Sequence, residues 1–349
     1  MRFFLGGYSP DLHVAWLNTD DGSLEIIAKV TTPANASYLR YVPEYSVVYA
    51  TVESGYHTGE SGKIAAYRVD ESGELTAIGS IESCGSSPCH LDVDPDRCLL
   101  AAANYGGANF MVARLTESGG FAEPAACVKH RGHSVNASRQ AEPHPHGVYF
   151  SPDGKHLSVC DLGTDKIMRY QIDALLAGVG SEAGEPAASV TPGSGPRHLS
   201  YSADGGFAYL VTELANTMVV YRVHPGTGDF EQLQELSTLP ELFDGENTAG
   251  EVQIHPNGRF VYASNRGHDT IAVFARDEQS GLLEPAGHFD TTGNGPRHFQ
   301  IDPSGAWCLV SNQFSDHVVS FRIDPKTGMG RWSGKSVHVV EPSCTEFRR

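Results

Sequence analysis

The sequence predicts an all-β fold: a seven-bladed β-propeller of four-stranded antiparallel blades, its ring closed by pairing of the N- and C-terminal strands. Three observations carry this. An internal repeat runs along the whole 349-residue chain. Each copy divides into four short strand-like runs. The two ends together supply a further copy that neither holds alone.

The clearest part of the repeat is a turn followed by an apolar strand. Its copies are YVPEYSVVYATVE (41–53), VDPDRCLLAAANY (93–105), FSPDGKHLSVCDL (150–162), YSADGGFAYLVTE (201–213), IHPNGRFVYASNR (254–266) and IDPSGAWCLVSNQ (301–313). Pro43, Pro95, Pro152, Ala203, Pro256 and Pro303 hold equivalent places, at spacings of 52, 57, 51, 53 and 47 residues. A period near 50 is that of a propeller blade.

Within the fourth copy, RHLSYS, FAYLVTE, MVVYRV and FEQLQEL read as successive strands between Gly/Asp/Pro turns, rich in β-branched and aromatic residues. The third strands recur as KIAAYRVD, KIMRYQID, MVVYRVHP, TIAVFARD and HVVSFRID. The best helix candidate is IDALLAGVGSEAG (172–184), one turn within an inter-strand connection. The N-terminal FFLGGYSPDLHVAWLN starts at a second strand, and the C-terminal PSCTEFRR supplies the missing first. Pairing them completes the seventh blade and protects sheet edges. Residues 1–349 therefore read as a single propeller domain. A pair of β-sandwiches would leave the split repeat unexplained.

Composition narrows the function. With 40% hydrophobic residues the chain can bury a core, and 38 Gly with 20 Pro suit many turns. The 25 basic against 42 acidic residues give a net charge of −17, a poor match for nucleic acid or anionic membrane. No run approaches the length of a membrane span, and MRFFLGGYSPDLH is broken too early to read as a secretory signal. Cysteines 84, 89, 98, 127, 160, 308 and 344 are scattered, most of them in apolar runs. They read as reduced core residues of a cytoplasmic protein. The spacing Cys84-x4-Cys89 does not match zinc.

In a propeller the inner strands line a channel. The loops entering them share one face with the loops leaving the second strands. The entering loops hold HPHG (144–147), GPRH (195–198), TAGEVQ (248–253) and GPRH (295–298). The leaving loops hold NYGGAN, DLGTD, TELAN, SNRGHD and SNQFSD. Arg197, Arg266 and Arg297 should converge at this mouth with several histidines and with Glu213 and Glu251. A basic mouth on an acidic protein would take a small anion through bidentate guanidinium contacts. A single such Arg can equally tie adjacent blades through a buried carboxylate.

Pro145 keeps His144 and His146 on one extended segment, as a general base or substrate contacts rather than metal ligands. His198 and His298 face either core or channel, and Glu213 either meets ligand or caps its loop. His130 and His133, in a polar insertion, read as solvated. No G-x-S-x-G elbow, Walker A loop, G-x-G-x-x-G or WD dipeptide occurs, which argues against those serine hydrolases, NTPases, dehydrogenases and WD40 scaffolds.

HPHGVYFSPDGKHLSVCDLGTDKI, GSGPRHLSYSADGGFAYLVTEL, GEVQIHPNGRFVYASNRGHDTIAVF and GNGPRHFQIDPSGAWCLVSNQ together resemble the propeller-type 6-phosphogluconolactonase family, which also contains carboxy-cis,cis-muconate cyclases. The resemblance runs end to end. It implies hydrolysis of 6-phosphoglucono-δ-lactone in the oxidative pentose phosphate pathway, with no obligatory metal or organic cofactor. The family's site positions fall on His146, Arg197, Glu213 and Arg266 or Arg297. Cys89 stands where the GPRH copies have Arg, which bears on substrate more than on fold.

On that layout His146 or Glu213 is the base and Arg197 stabilises the oxyanion. Arg297 and Arg266 hold the phosphate. His144, His198, His298 and Glu251 complete the candidate substrate contacts. The partner is then a small anionic sugar lactone, acted on by a monomer or dimer. A cyclase acting on a tricarboxylate, or a non-catalytic binding propeller, are the alternatives.

Overall fold

The computed structural model describes residues 1–178, 184–224 and 226–348. Seven four-stranded antiparallel sheets form, and their inner strands touch in cyclic order, as a closed propeller requires. The closing blade takes Pro342–Phe347 from the C-terminus and Arg2–Gly7, Asp11–Leu17 and Leu24–Thr31 from the N-terminus. Phe3 lies opposite Phe347, and Leu5 opposite Thr345. In chain order the other six blades, two to seven, start at Leu39, Pro88, Pro145, Pro196, Thr248 and Pro296.

The strands fall where alternation and turn residues put them. Those of blade five are Pro196–Tyr201, Phe207–Thr212, Thr217–Val223 and Phe230–Ser237, each boundary within one residue of the expectation. Second strands such as Leu99–Asn104 are buried along their whole length, because both faces pack on neighbouring blades. That is why they read as unbroken apolar runs. The expected helical turn is present as Ile172–Leu176, while residues 179–183 of that connection lie outside the described residues.

The core is a set of apolar layers between blades. Tyr209, Val211 and Val220 of blade five pack on Ala249, Val252 and Val261 of blade six. Repeat-equivalent tyrosines latch one blade to the next: the Tyr49, Tyr209 and Tyr262 hydroxyls donate to the carbonyls of Gly119, Gly281 and Gly328 at 2.6, 2.8 and 2.9 Å. Each latch buries an aromatic ring and satisfies its one polar atom.

Ring closure depends on a few C-terminal side chains. Phe347 is fully buried, 5.8 Å from Phe3 between ring centroids. Phe347→Ala is expected to cost about 3–5 kcal/mol in urea unfolding. Phe314→Ala, at a ring that is 69% exposed, is expected to stay within about 0.5 kcal/mol of wild type. Equal effects would mean that the terminal strand does not hold the ring.

The cysteines require a correction. Cys84 and Cys127 are not reduced core residues. Both are exposed and they form a disulfide, with Cα atoms 6.5 Å apart. The loop entering the inner strand of blade three passes beside the end of that blade's outer strand, Phe121–Lys129, where the Asn109 amide donates to the Cys84 carbonyl at 2.8 Å. Cys89, Cys160, Cys308 and Cys344 are free and buried, and Cys98 is free and half-buried.

Candidate active site

Six inner strands carry a bulge at the same place: between Pro88 and His90, Pro145 and Gly147, Pro196 and His198, Ala249 and Val252, Pro296 and His298, and Pro342 and Cys344. A regular strand turns alternate residues inward, whereas a bulge turns two in succession. The first of each pair, Cys89, His146, Arg197, Gly250, Arg297 or Ser343, stands at the mouth level. The second, His90, Gly147, His198, Glu251, His298 or Cys344, stands one level deeper. Around the mouth lies a second set of equivalent positions, where the second strands end: Tyr8, Glu53, Tyr105, Glu213 and Arg266.

These two sets enclose a cavity of about 390 Å³ lined by Glu53, Cys89, His146, Glu213, Arg266 and Arg297, with Tyr56, Tyr105 and Arg139 at its rim. Glu213, 4% exposed, is its electrostatic centre. Its Oε2 accepts from Arg197 Nε at 3.0 Å and meets Arg266 at 3.0 Å, and its Oε1 accepts from Arg139 at 2.5 Å. Burial pushes the Glu213 carboxyl up, but Arg266, Arg197 and Arg139 outweigh it and hold it well below the usual carboxylate range. With both oxygens engaged by guanidiniums, this carboxylate offers no free site to a substrate proton.

His146 Nε2 lies 3.8 Å from Glu213 Oε2. Burial, reinforced by Arg197 and His198, pushes the imidazole well below its usual range, so it is neutral at pH 7. Arg297 donates to the Tyr8 hydroxyl at 2.7 Å and lies over that ring. Among the described residues no carboxylate comes within 4.0 Å of its guanidinium. Burial lowers the Arg266 guanidinium to about 10 against the opposing pull of Glu213, leaving it charged at neutral pH. Four guanidiniums thus meet two carboxyl groups, and one of those, Glu53, is pushed up by burial. The mouth carries spare positive charge.

The expected residues divide between places. His146, Glu213, Arg266 and Arg297 meet at the cavity. Arg197 is at the same level but does not line the cavity, and it is 2% exposed. Its Nε holds Glu213, and its Nη1 donates to the Gly250 carbonyl of the next blade at 2.8 Å, the inter-blade tie open to any single Arg. His144 stands behind the site, its ring stacked on Tyr105 at 4.2 Å and its Nδ1 on the Tyr105 carbonyl at 2.9 Å. His198, His298 and Glu251 are corrected to the deeper level, because the bulge drops the residue after each Arg, or after Gly250, away from the mouth. There His198 Nδ1 lies 2.8 Å from Glu251 Oε2. His133 is exposed, but His130 is not solvated. Its Nδ1 is 2.6 Å from Asp161 and its Nε2 accepts from Tyr170 at 2.9 Å, because the insertion folds back onto blade four.

Glu53, Tyr8 and Tyr105 were not among the expected residues. The repeat register could have found them, since they occupy the position equivalent to Glu213. Arg139 lies in the insertion and carries no such signal. A second cavity of about 400 Å³ opens at the other end of the channel. Its one guanidinium, Arg40, is paired with Asp92 at 3.2 Å, and Glu251 and Glu346 add further carboxyl groups. It does not suit an anion.

Comparison with known proteins bears on the chain as a whole. The family described as "Lactonase, 7-bladed beta-propeller" matches residues 2–347. A 6-phosphogluconolactonase of Bacillus subtilis is 32% identical over 98% of this chain and 95% of its own. One from Formosa agariphila is 32% identical over 91% of this chain and 89% of its own. The structure of a periplasmic gluconolactonase from Pseudomonas aeruginosa superposes with a TM-score of 0.90 at 32% identity, covering 99% of this chain and 98% of the other.

Proposed function

The chain belongs to the seven-bladed propeller lactonase family, and from that premise we propose that it hydrolyses 6-phosphoglucono-δ-lactone to 6-phosphogluconate at the channel mouth. The observation that carries the reading is the meeting of unspent guanidinium charge with a neutral imidazole in one sugar-sized cavity. Residues 1–349 act as one catalytic unit in this reading. The reaction is the lactone-opening step of the oxidative pentose phosphate pathway. A phosphorylated lactone does not cross membranes, so the reading puts the protein in the cytoplasm. There the exposed Cys84–Cys127 pair is the one that a reducing compartment would open.

Hydrolysis needs an activated water, a stabilised oxyanion and a grip on the remote anion. His146 takes the proton of the attacking water, since Glu213 is locked as the counter-ion of its arginines. Arg266, fixed by Glu213 and by the Ala249 carbonyl at 2.9 Å, faces the cavity and stabilises the tetrahedral oxyanion. Arg197 orients Glu213 through its Nε. Arg297, without a carboxylate partner, holds the phosphate, and Arg139 closes the rim. No residue in these roles needs a metal.

The test is turnover of freshly generated 6-phosphoglucono-δ-lactone against its spontaneous opening, with and without EDTA, beside unphosphorylated glucono-δ-lactone. Saturable acceleration that survives EDTA, with a lower KM for the phosphorylated lactone, is expected. Equal KM values would move the substrate to the unphosphorylated lactone. No acceleration of either would end the lactonase reading.

A further inference from the structure

Two carboxyl groups face the mouth cavity, and their surroundings drive them in opposite directions. Glu213 is held ionised by guanidiniums. Glu53 has none within ion-pair distance among the described residues. It sits at the end of the second strand of blade two, its backbone fixed by donation to the Asn35 carbonyl at 2.8 Å. Its two oxygens are unlike. Oε2 accepts from the Ser37 hydroxyl and from Tyr8 at 3.2 Å, whereas Oε1 has only a long 3.4 Å contact with Tyr8. Oε1 is therefore the oxygen with room for a proton.

Resting on the lactonase reading, we propose that Glu53 is the general acid of ring opening, giving the Oε1 proton to the departing ring oxygen. A pair of carboxyl groups pushed apart by environment is the usual mark of an acid beside an ionised partner. The groups acting on Glu53 are Tyr8, Ser37, Arg297, Cys89 and Arg197. Burial raises the Glu53 carboxyl, while Arg297 and the hydrogen bonds from Ser37 and Tyr8 pull the other way. Burial also raises the Cys89 thiol, which stays neutral.

The step balances. The water oxygen bonds to the carbonyl carbon and its proton passes to His146 Nε2. The bond from that carbon to the ring oxygen breaks, and its electron pair stays on the ring oxygen, which takes the Glu53 proton and becomes a hydroxyl. The carbonyl carbon ends as a carboxylic acid. The proton on His146 returns to Glu53 through solvent, and both groups are reset. In spontaneous opening solvent can supply this proton, so the acid accelerates departure rather than permitting it.

The test is the pH dependence of kcat for wild type, Glu53→Gln and Ser37→Ala on 6-phosphoglucono-δ-lactone. The wild type should lose activity as pH rises through the Glu53 ionisation. Glu53→Gln should lower kcat by roughly 100-fold, leave KM within about threefold, and erase that alkaline limb, because an amide does not titrate. Ser37→Ala removes a hydrogen bond that favours the ionised form, so it should move the limb to higher pH. This second variant decides the matter if Glu53→Gln fails to fold. An unchanged limb in either variant, or unchanged kcat in Glu53→Gln, overturns the proposal. An inactive wild type would instead end the lactonase reading on which it rests.

Discussion

Glu213→Gln is expected to lower unfolding stability by about 3–5 kcal/mol, the cost of leaving buried charge without its partner. Glu213 is the meeting point of Arg197, Arg266 and Arg139, and the amide cannot answer three guanidiniums. The sign with pH follows from the direction of its shift. Its folded value lies below the ordinary 4.5, so its contribution is whole above that pH. It is lost as pH falls through the folded value. The stability gap between wild type and variant should therefore be constant near neutrality and narrow in acid. Activity should fall with it, by at least roughly 100-fold, because Arg266 and Arg139 lose the group that aims them. Urea unfolding at pH 7 and pH 3 measures the first effect, and kcat/KM the second. A loss under about 1 kcal/mol would mean that the arginines are satisfied by other groups.

Arg297→Ala is the second large effect, and it should be selective. Truncating one side of a buried charged contact typically costs about 2–5 kcal/mol. At about 1.36 kcal/mol per tenfold, kcat/KM for the phosphorylated lactone should drop roughly thirtyfold to several thousandfold. Glucono-δ-lactone, which lacks the phosphate, should lose less than about tenfold. The comparison separates a grip on the remote anion from a role in the chemistry. An equal loss on both substrates would put Arg297 at the reacting carbon instead. Tyr8, whose hydroxyl accepts from Arg297 and donates toward Glu53, links the two functions.

Nearly all of the architecture was legible in the sequence, because a repeat states each strand several times over. The register of Pro43, Pro95, Pro152, Ala203, Pro256 and Pro303 located six of the seven second strands, and the split first copy supplied the seventh and announced ring closure. The site was legible by face but not by depth. Arg197 and His198 are adjacent in sequence, and nothing in their spacing tells that a bulge sends one toward the mouth and the other below it. His144 looked equivalent to His146, yet a stacked Tyr105 stands between it and the cavity. Glu53 was written in the same register as Glu213 and could have been found there. Arg139 could not, because the insertion that carries it belongs to no repeat. The Cys84–Cys127 bridge joins a loop to a strand end within one blade, a pairing that sequence separation does not indicate.

The repeated bulge has a consequence for how such a protein can change. Each of the six bulged strands offers two neighbouring sockets at different heights, and the same backbone pattern carries Cys89, His146, Arg197, Gly250, Arg297 or Ser343 in the upper one. At Gly250 the Ser264 hydroxyl and the Pro296 and Arg297 carbonyls fill the upper socket, and Gly147 leaves its lower one to the ring of Tyr149. Substrate choice can therefore drift by exchange of single side chains in the upper tier, while the lower tier preserves the packing of the channel. The channel behaves as a pegboard whose pattern can be rewritten one hole at a time.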